Sequence, residues 1–358
     1  MKNVAVLFGL LLAVSLAGCG DNNENPIAPE PEPDPRFDFS PILTDFADKT
    51  VIPIYKDLSD KASDLLVAVR NLKANPSPAT LSTARASWVA SRQPWERSEA
   101  FLFGPVDFKG YDPALDSWPV NRADLEAVLS GSDPLTKTTV NNLENTLKGF
   151  HTIEFLLYDE GGSKTVDDFT PRQYDYLIAA TELLDEAATA MHTDWSSSGG
   201  NFRDQVVNAG GGSNTYTTRK AAVQEMINGM VGIADEVGNG KIADPFNEQD
   251  TRLVESQFSF NSLLDFQNNI RGIWHVYTGG YNVQAVGLDY FVRTKNSALD
   301  QRVQDEIKTA IEEIGKISFP FRDALGSDAA QITAAQQAIA KVQSTLEGDV
   351  LRLVNAEP

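Results

Sequence analysis

The residues of this chain best suited to chemistry come in two short-spaced pairs, His151 with Glu154 and Glu96 with Glu99. Side chains three apart on a helix share a face, so each pair would present two donor atoms together. Helical bundles hold iron with carboxylates and imidazoles projected inward from facing helices. An oxygen-rich set of this kind suits iron or another divalent ion better than a soft metal. Glu96, Glu99, His151 and Glu154 are therefore the candidate metal ligands. The order His-x-x-Glu reverses the diiron Glu-x-x-His and argues against a dinuclear centre. A structural alternative stands beside this one. A carboxylate on a buried face is costly unless something meets it, and Arg92, Arg97 and Arg271 are placed to do so.

The same residues limit the catalytic options. The chain has no His-Glu-x-x-His, no inverse of it and no Gly-x-Ser-x-Gly elbow, so the common zinc-protease and hydrolase signatures are missing. Its single cysteine, Cys19, lies near the N-terminus, which leaves the remaining chain without a thiol nucleophile. If the protein cleaves peptides, His151 as base with Glu154 or Glu96 as its orienter is the economical site. His192 and His275 read as structural or surface residues. A polar run of Glu255, Ser256, Ser259, Asn261, Asp265, Asn268 and Asn269 is expected on one helix spanning Thr251 to Tyr277. Together with Arg92, its members Glu255, Ser256, Ser259 and Asn268 read as the wall of a ligand cleft facing His151.

Helices must position these residues. Val140, Leu143, Leu147, Phe150, Glu154, Leu157 and Tyr158 fall at steps of three or four, which predicts one helix from Val140 to Tyr158. Glu96 and Glu99 belong to a helix capped by Thr80, bent at Pro94 and closed at Phe103-Gly104-Pro105. Phe37 to Asn75 reads as a long helix that Pro53 either kinks or starts. Pro171 opens another, reaching Met191. Further helices are predicted near Ala123–Leu129, Tyr216–Val237, Gly287–Lys295, Leu299–Ile314 and Asp328–Leu353. No alternating run predicts a strand, so the fold class is all-α. A Ser/Gly stretch after Trp195 divides residues 37–198 from 199–358, giving two helical-bundle domains of similar length with a cleft between them. The similarity of the halves suggests an internal duplication.

The N-terminus carries an address. An apolar run from Val4 to Ala17 is too short for a membrane span and fits a signal peptide. Leu16-Ala17-Gly18-Cys19 resembles the bacterial lipobox, so residues 1–18 read as a lipoprotein signal and Cys19 as the acylated residue. Acyl chains contribute about 0.8 kcal/mol per buried methylene, enough together for stable anchoring. Gly20 after the cysteine points to the outer membrane. Residues 19–36 alternate proline and acidic residues, as in a semi-rigid tether. The net charge of −20 excludes nucleic acid as a partner and favours cations.

Gly149-x-His151-x-x-Glu154 resembles the G-x-H-x-x-E signature of the imelysin-like family, also described as insulin-cleaving membrane peptidases. Three other segments are similar to the same family: 95–105, 235–245, and 255–259 running on to 265–270. The resemblance implies an all-helical, two-bundle, extracytoplasmic bacterial protein that serves iron uptake by binding iron or an iron-bearing ligand. The family name implies a metallopeptidase as the alternative. A non-catalytic scaffold for an envelope transport protein is the third reading.

Overall fold

The computed structural model describes residues 36–358. The signal-like run, Cys19 and residues 19–35 of the tether lie outside the described residues. The first long helix begins with Ser40–Asp45, widens into a π turn over Phe46–Val51 and continues as α1 (Ile52–Ala74). Proline lacks an N–H and crowds the carbonyl four residues back. The π turn just ahead of Pro53 absorbs that mismatch, so the chain stays helical throughout. Leu43, Phe46, Ile54, Leu58, Leu65, Val69 and Leu72 are fully buried along one stripe.

Ser77, not Thr80, caps α2 (Pro78–Ser98). The Thr80 amide donates to the Ser77 hydroxyl at 3.2 Å, and the Ser77 amide donates to the Thr80 hydroxyl at 3.0 Å. This reciprocal capping box satisfies two otherwise orphaned donors. The helix passes through Pro94 and tightens into a 3-10 turn over Glu99–Phe101.

The helix expected from Val140 is broken. Val140 ends in a short helix, Lys137–Asn141, and α3 starts only at Gly149 (Gly149–Tyr158). Gly149 has φ +76°, and a Cβ there would lie 2.3 Å from the Leu115 carbonyl oxygen. Only glycine meets both demands. The apolar spacing from Val140 onward is real, but it serves separate short elements packed on one core.

The remaining long helices are α4 (Pro171–Trp195), α5 (Arg219–Asp235), α6 (Ser262–Thr278), α7 (Ser297–Gly315) and α8 (Ala329–Thr345). A π turn, Glu236–Lys241, extends α5. The helix expected from Thr251 begins instead at Ser262. Ser256 and Phe260 have φ of 52° and 63°, so residues 254–261 form a loop in place of a helical face.

Among the described residues there is no strand. The α1, α2, α3 and α4 helices pack as one bundle, and α5, α6, α7 and α8 as a second. The two meet where α6 lies along α2. Gly272 permits that approach, since a Cβ there would lie 2.4 Å from the Arg97 carbonyl oxygen. Residues 37–358 form one compact unit whose apolar core continues through both bundles. No described helix is long and apolar enough to cross a membrane.

Gly149→Ala tests the account of α3. It should lower stability by on the order of 2–4 kcal/mol, read as a fall in the denaturant midpoint. A loss below about 0.5 kcal/mol, the usual range for a neutral surface change, would contradict it.

Candidate metal centre

The bundle junction buries a cluster of charged side chains drawn from many parts of the chain. From α2 and the turn that follows it come Arg92, Glu96 and Glu99. Asp116 ends the short helix Tyr111–Asp116, and its approach to α3 depends on the missing side chain of Gly149. His151 and Glu154 stand on α3, Lys241 closes the π turn after α5, and Glu255 and Ser256 lie in the loop before α6. The α6 helix adds Asp265 and Asn269. All of these side chains are buried.

Arg92 joins the carboxylates. Its guanidinium pairs with Glu96 and Asp116, lies 2.7 Å from Glu255 and 3.7 Å from Asp265. The Lys241 ammonium is 2.9 Å from Glu99, 3.1 Å from Glu255 and 3.4 Å from Glu96. Asn269 donates to Glu96 at 2.7 Å and to Glu99. Trp95 donates its indole N–H to Asp116 at 2.6 Å.

His151 faces carboxylates on both ring nitrogens. Its Nε2 lies 3.1 Å from Asp116 and 3.6 Å from Glu255, while Nδ1 lies 3.4 Å from Glu154. The Oε1 of Glu154 accepts from the Phe258 amide at 3.0 Å, and from the Ser259 amide and hydroxyl at 2.7 Å each. Glu154 therefore ties α3 to the 254–261 loop and fixes the imidazole from behind. A carboxylate behind a histidine sets which nitrogen is free to ligate. Here that nitrogen is Nε2, aimed at Asp116 and Glu255.

The sequence-predicted residues divide accordingly. Glu96, Glu99, His151, Arg92 and Glu255 share the cluster. Glu154 lies behind His151, anchored by Ser259, and Ser256 lies beside Asp265. Asn268 turns toward Arg97 and Arg271. Arg92, Glu255, Ser256 and Asn268 are buried and do not line an open cleft. Two groups bring donor atoms within 4.8 Å of one another: Asp116, His151 and Glu255, and Glu96, Glu99 and Asp116. Asp116 and Lys241 were not foreseen. Asp116 sits in an aromatic, proline-containing stretch that resembles a surface loop, and only the similarity of segment 235–245 to the family marks the neighbourhood of Lys241.

Charge balance defines what the cluster can do. Burial disfavours the His151 imidazolium, but Asp116, aided by Glu154 and Glu255, holds its pKa well above the usual histidine range. Burial is likewise overcome at Asp116, which Arg92 and His151 keep far below the usual carboxylate value. Glu255 is depressed to about 2, as Lys241, His151 and Arg92 outweigh its burial. Glu99 and Asp265 go the other way. Burial, with neighbouring carboxylates, raises both well above normal. Six carboxylates, Glu96, Glu99, Asp116, Glu154, Glu255 and Asp265, face the three cations Arg92, Lys241 and His151, and the raised affinity of Glu99 and Asp265 for protons offsets part of the excess. A divalent cation can replace such protons. The set of an imidazole and carboxylates fits iron chemically, and the Asn269 Oδ1, buried without a hydrogen-bond partner, adds a spare oxygen beside Glu96 and Glu99. A groove of about 600 Å³ lined by Glu99, Phe103, Glu225, Asn228 and Glu236 leads from the surface to this edge of the cluster.

Asp112 at the border is raised to about 6 by burial and then by Asp116. A carboxyl group raised in the folded state binds protons that the unfolded chain releases, so stability falls as pH rises from about 4 through 6. Asp112→Asn should stabilise the protein at pH 7 by on the order of 1–3 kcal/mol and leave it unchanged at pH 4. Equal effects in melts at both pH values would contradict this assignment.

The imelysin family model matches residues 51–346. Iron-regulated protein A of Synechococcus elongatus is 33% identical over 315 residues, covering 86% of this chain and 85% of that protein. A crystal structure assigned to an iron-regulated protein A precursor from Parabacteroides distasonis superposes with a TM-score of 0.80 at 29% identity, covering 88% of this chain and 94% of that one. An imelysin-like protein from Psychrobacter arcticum shares the fold, with a TM-score of 0.72 at 14% identity over 87% and 94% of the two chains.

Proposed function

Because the chain belongs to the imelysin family, we propose that its buried cluster binds iron, or another divalent cation, in the service of iron uptake. The observation that carries this reading is the convergence of His151 Nε2 with Asp116 and Glu255, donor atoms within 4.8 Å, on a histidine oriented by Glu154. Two relatives bear names that mark them as iron-regulated, which supports iron over other cations. Glu96 and Glu99, with Asp116, form the second carboxylate group, next to the groove that supplies a path inward.

The residues prescribe how a cation would be received. His151 must lose its proton before Nε2 can donate a lone pair, so binding releases a proton. Arg92 already bonds Asp116 and Glu255, and would withdraw as their charge is met by the cation. Glu154 keeps the Nδ1–H and does not ligate. A peptidase reading has less support. Both His151 nitrogens face carboxylates, and the Ser259 hydroxyl is bonded to Glu154. The lipobox resemblance at Cys19 and the acidic tether complete the proposal: a lipid-anchored protein of the bacterial envelope, at the outer membrane, handing its cargo to an envelope transport protein.

Calorimetry with ferrous ion on a Cys19→Ser chain tests the site. Stoichiometric binding is expected, strengthening up to tenfold per pH unit while His151 must deprotonate. His151→Ala and Asp116→Asn should abolish it, and Glu154→Ala should weaken it about 10–100-fold. Folded His151→Ala and Asp116→Asn proteins that bind like wild type would sink the reading.

A further inference from the structure

Arg97 and Arg271 lie outside the acid cluster. Arg97 follows Glu96 on α2, and Arg271 stands two residues beyond Asn269 on α6. Both guanidinium groups reach the same acceptor, Asn268 Oδ1, from Arg97 Nε at 3.0 Å and Arg271 Nη1 at 3.3 Å. Arg97 Nη1 also donates to the Tyr281 hydroxyl at 3.2 Å, and that hydroxyl donates to Asp57 at 2.6 Å. Asp57 in turn pairs with Lys61 at 3.3 Å. Neither arginine forms an ion pair with any described carboxylate. In a chain with 50 acidic and 30 basic residues, two converging arginines without an acid are out of keeping with their surroundings.

The nearest carboxylate, Asp57, reaches Arg97 only through the Tyr281 hydroxyl and is itself paired with Lys61. His275 lies against the Tyr281 ring and its Nδ1 meets the Gly280 carbonyl oxygen at 3.0 Å. Burial, and then the two arginines, depress it to about 4, so it is neutral at ordinary pH. Asn268 is fully buried, with its Nδ2 lacking an acceptor. Arg97 Nη2 and the Nε and Nη2 of Arg271 make no hydrogen bond to the protein, and both side chains are partly open to solvent. A neutral amide oxygen thus stands between two half-buried cations whose remaining donors are unspent. A hollow of about 470 Å³, lined by Lys56, Asp57, Asp60, Lys61, Tyr281 and Asn282, adjoins the Tyr281 end of this arrangement.

We propose that Arg97 and Arg271 form a binding site for a small oxyanion, a carboxylate or phosphate group bridging the two guanidinium forks. Planar guanidinium donors match such groups two bonds at a time, and like charges held together in partly desolvated surroundings gain most from a shared counter-ion. The Asn268 amide holds the forks in place in the absence of the anion. This site is distinct from the cation cluster and does not depend on it: Asn268 belongs to one and Asn269 to the other.

The test titrates the full-length protein in detergent, at low ionic strength, with inorganic phosphate and separately with acetate, by calorimetry. Saturable binding of at least one anion is expected, with the stronger of the two identifying the preferred source. Arg271→Gln and Arg97→Gln should each weaken it at least tenfold, Arg271→Lys less so, because lysine keeps the charge and loses the fork. Arg271 is half-buried and makes one long hydrogen bond, so its variant should fold, as checked by an unchanged melt, even where Arg97→Gln does not. Absence of saturable binding by either anion, or equal binding by wild type and a folded Arg271→Gln, overturns the proposal.

Discussion

The fold depends on a guanidinium that water does not reach. Arg92 is fully buried and meets carboxylates from its own helix, from the short helix before α3, from the 254–261 loop and from α6. An arginine taken out of water is tolerable only when its donors are met by charge. Each of those carboxylates is equally in need of a cation. The interaction therefore works as a clamp between bundles: packing places the elements near one another, and the mutual need for compensation determines how they are set. Lys241 repeats the arrangement at one end, where the π turn brings its ammonium among Glu96, Glu99 and Glu255.

The compensation is incomplete. A cluster made only for stability would balance its charges, or would do without them, since apolar substitutes are often as stable. Here carboxylates are in excess, and burial with neighbouring acids raises Glu99 and Asp265 well above the usual carboxylate range. The cluster thus holds more acid than stability alone calls for. Glu154 shows the reverse economy. Bonded to the Phe258 and Ser259 amides and to the Ser259 hydroxyl, it supports His151 from a fixed position. The Gly-x-His-x-x-Glu spacing thus has a physical meaning at each place: a turn without a side chain, a buried imidazole and the carboxylate that orients it.

Local pattern carried much of this into view. The helical class, the stripe on α1, the opening of α4 at Pro171 and the pairing of His151 with Glu154 all follow from period and spacing. Failures occurred where tertiary packing overrode a periodic pattern. Val140, Leu143 and Leu147 keep a helical rhythm while lying in separate elements, because Gly149 must pass against Leu115. The run from Thr251 reads as helix, yet Ser256 and Phe260 adopt left-handed backbone so that amides can reach Glu154. Asp116 could not be foreseen at all, since its role arises from a contact between distant segments. Arg92, Arg97 and Arg271 look alike in sequence, and only the crossing of α2 with α6 separates the clamp from the other two.

That crossing sets adjacent residues of α6 against opposite surroundings. Asn269 donates to Glu96 and Glu99 on one side, and Asn268 accepts from Arg97 and Arg271 on the other. An amide can serve as donor or acceptor, so the chemistry of the two residues is interchangeable, but their placement is not. Turning α6 by one residue would carry the Asn269 amide away from the acids that need its donors and the Asn268 oxygen away from the cations that need it. The helix is therefore keyed in azimuth by electric polarity as well as by shape. A rolling motion of α6 against α2 would break these hydrogen bonds on both sides at once, and so is opposed by them.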